Sequence, residues 1–174
     1  MPRPRRLVTV LALAAALLAS CGDDESGGPA ADPQEPETET SPAQVEAQLE
    51  DTSTKPVIEK PTGAPPRKLV QEDIVKGKGR AAKPGDRITV QYVGVAFSTG
   101  EEFDASWDRG QPFTFVLGAG DVIPGWDKGI VGMRKGGRRK LTIPPELAYG
   151  AQGSPPDIAP NETLVFIVDL LSIK

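Results

Sequence analysis

The amino-acid sequence predicts an α+β domain over residues 66–174, built mainly from short β-strands with one short helix between them. Three observations support this prediction. Apolar and polar residues alternate from Ile88 to Tyr92, which is the period of a half-buried strand. A proline at position 124 opens a short run with helical spacing, and proline is favoured at the first position of a helix. The stretch from Leu164 to Leu171 is apolar on both faces except at Asp169, as expected for a strand inside a sheet.

Turn-forming residues delimit the strands that precede the helix. Residues 83–86 read Lys-Pro-Gly-Asp, where Pro suits position i+1 of a type II turn and Gly suits the positive φ of position i+2. The alternating strand after this turn extends to Phe97, and Thr99-Gly100 then reverses the chain. Residues 113–117 predict a further strand, and residues 68–75 predict a weaker first one.

The helix is predicted from Pro124 onward. Trp126, Ile130 and Met133 recur at i, i+4 and i+7, so they share one face. Taken alone, a tryptophan on such a face is more often a core residue than a ligand-binding residue. Residues 141–143 predict the next strand, which the two prolines that follow bring to an end.

Five basic residues surround the glycine pair at positions 136 and 137: Arg134, Lys135, Arg138, Arg139 and Lys140. Because they flank a turn, we interpret them as solvated side chains of that turn and of an edge strand, and not as a binding patch. Residues 66–174 carry a formal charge of only +2. Nucleic-acid-binding domains are strongly basic, so we expect no nucleic-acid partner.

Residues 1–21 have the composition of a secretory signal. Arg3, Arg5 and Arg6 precede an apolar run from Leu7 to Leu18, and this run is too short for an ordinary membrane span.

The only cysteine of the chain, Cys21, follows this run directly after small residues. The arrangement resembles the lipobox of bacterial lipoproteins. That resemblance implies a lipidated Cys21 (with palmitate among its acyl chains) and a protein anchored at the extracytoplasmic face of the cell membrane. The alternative is a signal peptide cleaved at an ordinary site, which would leave Cys21 as a free thiol.

Residues 22–65 predict a disordered, acidic, proline-rich linker. They contain 11 acidic side chains against two lysines, and seven prolines. Such a segment has too little apolar surface to offset the entropy lost on ordering. We therefore expect a flexible tether between the anchor and the domain.

The chain contains no histidine, and its single cysteine lies at the predicted lipidation site. Histidine-based acid–base catalysis, a Ser-His-Asp triad and the usual kinds of zinc site are thereby excluded. We expect neither a metal nor a cofactor, so any catalysis has to come from the shape and the environment of a site.

An ordered set of motifs in residues 66–174 closely resembles the FKBP-type peptidyl-prolyl isomerases, also called macrolide-binding immunophilins. The motifs are Tyr92, Glu102–Ser106, Pro112–Gly118, Val122–Gly129, Leu141–Pro145, Leu147–Gly150 and Asn161–Phe166. The resemblance implies an antiparallel sheet curled around the short helix, and we expect a monomer.

The same resemblance implies a pocket around the tryptophan of the helix. Its implied substrate-binding residues are Tyr92, Phe103, Phe113, Val122, Trp126, Ile158 and Phe166. Taken singly, Tyr92, Phe113 and Phe166 are equally compatible with an ordinary core. Catalytic roles fall to Asp104, Tyr149 and Ile123: the Ile123 backbone N–H and the Tyr149 hydroxyl as hydrogen-bond donors, and Asp104 as supporting electrostatics.

The implied reaction is rotation about X–Pro peptide bonds, with proline-containing segments of unfolded or folding exported proteins as substrates. Macrolide immunosuppressants are the implied small-molecule ligands. The loop at residues 153–160 departs from better-known members, since Ser154 stands where a histidine is frequent. A non-catalytic, proline-peptide-binding or scaffolding module on the same fold therefore stays open as the alternative.

Overall fold

The computed structural model describes residues 47–174, which form one large and one small β-sheet and a helix packed against the larger sheet. The predictions for residues 1–46, including the signal segment, Cys21 and the first part of the linker, lie outside the described residues. In chain order the elements are α1 (47–50), β1 (Val70–Val75), β2 (Lys78–Ala81), β3 (Arg87–Ala96), β4 (Glu102–Ala105), β5 (Phe113–Val116), α2 (Pro124–Gly129), β6 (Arg134–Lys135), β7 (Arg138–Ile143), a 3-10 turn (Pro145–Leu147) and β8 (Leu164–Ile173).

The large sheet is antiparallel throughout and has the strand order β1-β7-β8-β3-β4, with β5 paired to the first half of β3. Strands β2 and β6 form a separate two-stranded ribbon. This architecture confirms the predicted α+β class and the antiparallel sheet. Within the described range, neither helix has the length and the apolar character needed to cross a bilayer.

The main core lies between α2 and the inner face of the large sheet. The predicted apolar face of the helix is confirmed, because Trp126, Ile130 and Met133 are all buried. Close approach of helix and sheet depends on Gly129: a Cβ there would lie 2.8 Å from Leu141 Cδ2. Real Cβ atoms essentially never come this close to another atom, so glycine allows the helix to lie directly on β7.

The outer face of the sheet carries a smaller apolar group, which we call the outer cluster. Its buried members are Val93, Val95, Ala105 and Val165, with Ile58, Phe97 and Trp107 packed against them. The two faces follow from the alternation of side chains along β3 and β8.

The segment 47–60, which we call the arm, packs on this outer face. Ile58 contributes to the outer cluster, and the backbone carbonyls of Leu49 and Thr54 accept hydrogen bonds from Arg138, each at 3.0 Å. The prediction of a disordered linker is therefore wrong for residues 47–60. The arm is held by backbone carbonyls, by Ile58 and by the ion pairs of Lys55, and these contacts do not require an apolar composition that would distinguish it from an unfolded segment.

The interpretation of the basic cluster is wrong for two of its members. Arg138 is fully buried and Arg139 is 7% exposed, because β7 lies inside the sheet between β1 and β8. Arg138 pairs with Asp169 on the outer face, and Arg139 pairs with Asp73 while donating to the Gly129 carbonyl at 2.8 Å. Both cations thus have acidic partners on neighbouring strands, which allows their burial.

Candidate functional site

A cavity of about 370 Å³ lies beside the N-terminal end of α2, and we call it the Trp126 pocket. Its lining residues are Tyr92, Phe103, Asp104, Phe113, Asp121, Val122, Ile123, Trp126, Tyr149 and Phe166. The structure brings together nine of the ten residues that the sequence assigned to a site. Asp121 was not among those assignments.

Ile158 is the predicted residue that does not line the pocket. It is 5% exposed and belongs to the main core. Its backbone forms a two-way bridge with Ser154, with both N–H···O distances at 2.9 Å. Ile158 therefore secures the loop 153–160 to the core instead of contacting the cavity.

Trp126 is surrounded by aromatic rings packed edge to face. Its ring centroid lies 5.0 Å from that of Tyr92 and 5.2 Å from that of Phe166, and both interplanar angles are 84°. Edge-to-face contacts at these distances are favourable, because the positive ring edge meets the negative ring face. The indole Nε1 has no acceptor among the described residues, so ring packing alone fixes the tryptophan.

An irregularity in β4 shapes one wall of the pocket. Gly94 is opposite Asp104, whereas the next residue of β3 is already opposite Glu102, which leaves Phe103 as an extra residue in β4. A bulge of this kind changes the direction of side chains. As a result, two consecutive residues, Phe103 and Asp104, both line the pocket. Gly94 makes room for the rings of Phe103 and Phe166, since a Cβ there would lie 2.8 Å from Phe103 Cζ and 2.6 Å from Phe166 Cε1.

A polar network on the rim joins Tyr92, Asp104 and Arg109. The Tyr92 hydroxyl donates to Asp104 Oδ2, and the Arg109 guanidinium donates to Asp104 Oδ1 and, at 2.7 Å, to the Tyr92 oxygen. The guanidinium carbon also lies 5.6 Å from the Tyr92 ring centroid. Sequence reasoning missed Arg109, which is brought back toward β4 by a turn that the Gly110 N–H closes on the Trp107 carbonyl at 3.0 Å.

Both tyrosine hydroxyls of the pocket stay protonated at neutral pH. Burial and the hydrogen bond to Asp104 raise the pKa of Tyr92 to about 12, although Arg109 opposes the shift. Burial and the nearby Asp104 charge raise the pKa of Tyr149 above its usual value of 10.0. Tyr149 is 42% exposed, so its hydroxyl is a donor that a ligand can reach.

Ile123 offers a second donor at the start of α2. Its carbonyl accepts from the Trp126 N–H at 2.9 Å, while its own N–H has no acceptor among the described residues. Helix starts leave such N–H groups free for ligands. Asp127 holds the approach to the helix, because its carboxylate accepts from the N–H groups of Gly118 and Gly120 at 2.8 and 3.0 Å.

A larger cavity, about 660 Å³, lies on the other side of Phe103. Its lining includes four carboxylates, from Glu101, Glu102, Asp157 and Glu162, and has little aromatic surface. The Trp126 pocket is the better candidate site, since binding sites for small or compact groups are mostly apolar with a few directed polar groups.

Comparison with known proteins places the chain among relatives of one kind. The family model for FKBP-type peptidyl-prolyl cis-trans isomerases matches residues 78–171. An FK506-binding protein of Streptomyces anulatus is 56% identical over 120 residues, covering 68% of this chain and 97% of the relative. A probable FK506-binding protein of Corynebacterium glutamicum is 56% identical over 118 residues, covering 68% of this chain and 98% of the relative. The crystal structure of AtFKBP13 superposes with a TM-score of 0.57 at 40% identity, covering 61% of this chain and 93% of that one.

Proposed function

This chain belongs to the FKBP-type peptidyl-prolyl cis-trans isomerase family, and we propose that it accelerates X–Pro rotation in exported proteins inside the Trp126 pocket. The observation that carries the proposal is the pocket itself, which combines an aromatic interior with hydrogen-bond donors at its edge. Its volume of about 370 Å³ lies within the range of sites that enclose small ligand groups.

Apolar surroundings favour the transition state of this reaction. The planar amide owes part of its stability to charge separation, which water solvates well, whereas the twisted amide has less charge to solvate. The uncatalysed barrier is about 18–20 kcal/mol. Loss of amide solvation costs about 1–3 kcal/mol in proteins, and each 1.36 kcal/mol of differential stabilisation changes the rate about tenfold. Entry into the pocket therefore accelerates the rotation about ten- to a hundredfold, without a metal or a covalent intermediate.

The rim donors supply orientation. The Ile123 N–H and the Tyr149 hydroxyl hold carbonyl groups of the substrate on either side of the rotating bond. Asp104 acts through Tyr92 and Arg109, because both of its carboxylate oxygens are already engaged by these partners. Its role is thus to fix the wall of the pocket and its electrostatic field, and not to transfer a proton.

A protease-coupled assay on the purified full chain tests the proposal. A peptide with a neutral residue before proline is expected to isomerise faster in proportion to enzyme concentration. Folded protein that leaves the rate at its uncatalysed value would exclude catalysis. Saturable binding of the same peptide without acceleration would establish the alternative, a non-catalytic binding or scaffolding module.

We infer that the protein acts outside the cytoplasm, anchored in the cell membrane through a lipid on Cys21. The support is the basic head, the short apolar run and the small residues before the only cysteine. Bacteria that express the full chain with radiolabelled palmitate are expected to label it and to retain it in the membrane fraction. A Cys21→Ser variant should lose both properties, and equal labelling of the variant would refute the inference.

We further infer that FK506-type macrolides occupy the same pocket and that the protein acts as a monomer. Two relatives with 56% identity carry FK506 in their names. FK506 should inhibit the isomerase assay and alter the fluorescence of Trp126, while sedimentation should give one chain per particle. Inhibition without competition against the peptide would place the macrolide elsewhere.

A further inference from the structure

The arm reaches the segment that carries the rim residues Asp104 and Arg109 through a single lysine. Lys55 Nζ lies 2.8 Å from Glu102 Oε1 and 2.7 Å from Asp108 Oδ1. The second Asp108 oxygen is also within reach, at 2.9 Å. One cation of the arm therefore joins β4 to the turn that follows it.

The two carboxylates that Lys55 joins bracket the polar network of the pocket. Asp104 lies two residues after Glu102, and Arg109 directly follows Asp108. The segment 102–109 thus has two ionic ties. Lys55 connects its ends on the arm side, and Arg109 connects to Asp104 on the pocket side.

Lys55 itself is held in place on both sides. The preceding residue, Thr54, accepts a hydrogen bond through its carbonyl from the fully buried Arg138 at 3.0 Å. Three residues later, Ile58 packs in the outer cluster together with Trp107. Since Trp107 belongs to the same turn as Asp108, the arm and that turn pack against the same apolar cluster and are also joined by an ionic contact.

We propose that Lys55 is a positioning residue for the reaction, and that it holds segment 102–109 so that Asp104 and Arg109 keep Tyr92 in its place in the pocket wall. This inference rests on the proposed function. Without the lysine, Glu102 and Asp108 repel each other and the turn is free to move away from β4. Arg109 would then no longer donate hydrogen bonds to Asp104 and Tyr92 at the same time.

The test compares Lys55→Met with Lys55→Arg in the full chain, with Lys68→Met as the control. Lys68 is exposed and has no ion pair among the described residues. Exposed ion pairs have modest energies, so Lys55→Met should lower kcat/KM about two- to fivefold. Lys55→Arg should retain activity within about twofold, because the arginine can still reach both carboxylates, and Lys68→Met should match the parent chain.

Salt separates this role from a general loss of stability. Ionic strength near 1 M screens exposed pairs in both chains, but only the parent chain has the Lys55 contacts to lose, so the difference in rate between the parent chain and Lys55→Met should shrink. Equal rates for the parent chain and Lys55→Met at low salt would overturn the proposal, as would an equal loss in Lys55→Arg.

A spectroscopic measurement keeps the inference testable if the chain proves inactive. In a Tyr149→Phe background, Tyr92 is the only tyrosine, so the ring resonances of isotope-labelled tyrosine report on Tyr92 alone. At pH 7, where Lys55 is charged, Lys55→Met should shift these resonances, because a loosened Asp104 contact changes the surroundings of the phenol, and Lys68→Met should not. Unchanged resonances in Lys55→Met overturn the positioning role. An inactive parent chain in which the resonances do shift would refute the proposed function and leave the role of Lys55 intact.

Discussion

At the scale of single residues, the polar rim explains how an apolar pocket keeps a tyrosine aligned. Tyr92 is 7% exposed, yet its hydroxyl has two partners, since it donates to Asp104 and accepts from Arg109. A buried hydroxyl needs such partners, because an unpaired one costs about 1–3 kcal/mol. The network thus allows a polar atom in an aromatic wall and prevents the ring from turning.

We predict that Tyr92 titrates at unusually high pH. In Tyr149→Phe, tyrosinate absorbance should appear with a midpoint of about 12, against about 10 for the same variant unfolded in guanidinium chloride. The folded pKa exceeds the unfolded one, so the unfolded chain loses its proton first as the pH rises. The Tyr92 contribution to the free energy of unfolding is therefore complete below pH 10 and is lost between about pH 10 and 12. Identical midpoints would contradict the buried network.

We predict that Asp104→Ala impairs catalysis more than Tyr149→Phe. The Tyr149 change removes one exposed donor, worth about 0.5–1.5 kcal/mol, so kcat/KM should fall about two- to tenfold. The Asp104 change removes the carboxylate that accepts two charge-assisted hydrogen bonds, and should cost about tenfold or more. Both variants should unfold cooperatively in urea. Equal activity of the parent chain and both variants would refute these roles.

The sequence predicts the aromatic part of the site but not its polar support. Tyr92, Trp126 and Phe166 belong to motifs that identify the family, and the structure brings them together. Arg109 has no such signal. It lies in a polar turn, and its partners appear only once β4 has paired with β3. Ile158 shows the opposite case, because an apolar residue near a site can face the core as readily as the cavity.

At the scale of elements, the contact between α2 and β7 determines where the pocket floor lies. Two of the six residues of α2 are glycines that face buried side chains of β7. A Cβ at Gly125 would lie 2.8 Å from Ile143 Cδ1 and still closer to its Cγ2. Ile143 is fully buried and has no room to move aside, so the glycine sets the height of Trp126 above the sheet.

We predict that Gly125→Ala destabilises the protein although alanine favours helix formation. Alanine gains about 1 kcal/mol in helix propensity, whereas forcing a methyl group into a packed core costs about 1–3 kcal/mol. Urea titration should show a lower free energy of unfolding than that of the parent chain, and kcat/KM should fall because Trp126 is displaced. In an Ile143→Ala background the same change should cost little or nothing. Additive effects in the double variant would disprove the steric explanation.

Strands with an alternating or continuous apolar pattern could be predicted, and short polar strands could not. β3, β7 and β8 carry buried apolar residues at strand spacing, and β5 has two phenylalanines at that spacing, so the sequence indicates all four. β2 and β6 are short and mostly exposed, and they are strands only because they pair with each other. β4 contains two acidic residues and a bulge, which hide its period.

At the scale of the whole molecule, the arm completes the outer face of the sheet. Arg138 and Asp169 form a fully buried pair, with Nε to Oδ1 at 2.5 Å and Nη2 to Oδ2 at 2.8 Å. The remaining guanidinium donors reach carbonyls of the arm, at Leu49 and Thr54 among others. Such cover from a distant segment cannot be predicted from composition, because backbone carbonyls are the same in every residue.

We predict that the cost of Asp169→Asn depends on whether the arm is present. In the full chain the change leaves a buried cation without its counter-charge, which costs about 3–5 kcal/mol. In a chain that begins at residue 61, the sheet strands are all retained but the guanidinium is open to water. The same substitution should then cost only about 1 kcal/mol, as for an exposed ion pair.

Urea unfolding of the four proteins in this cycle measures the coupling between the arm and Asp169 directly. Asp73→Asn serves as a conservative control, because Asp73 pairs with Arg139 on the other face of the sheet. This substitution should lower the free energy of unfolding by the same amount with or without the arm. If Asp169→Asn also proves independent of the arm, the carbonyls of the arm do not seal Arg138, and the arm contributes to stability through its other contacts, those of Ile58 and Lys55. A positive coupling instead makes residues 47–60 part of the same cooperative folding unit as the sheet.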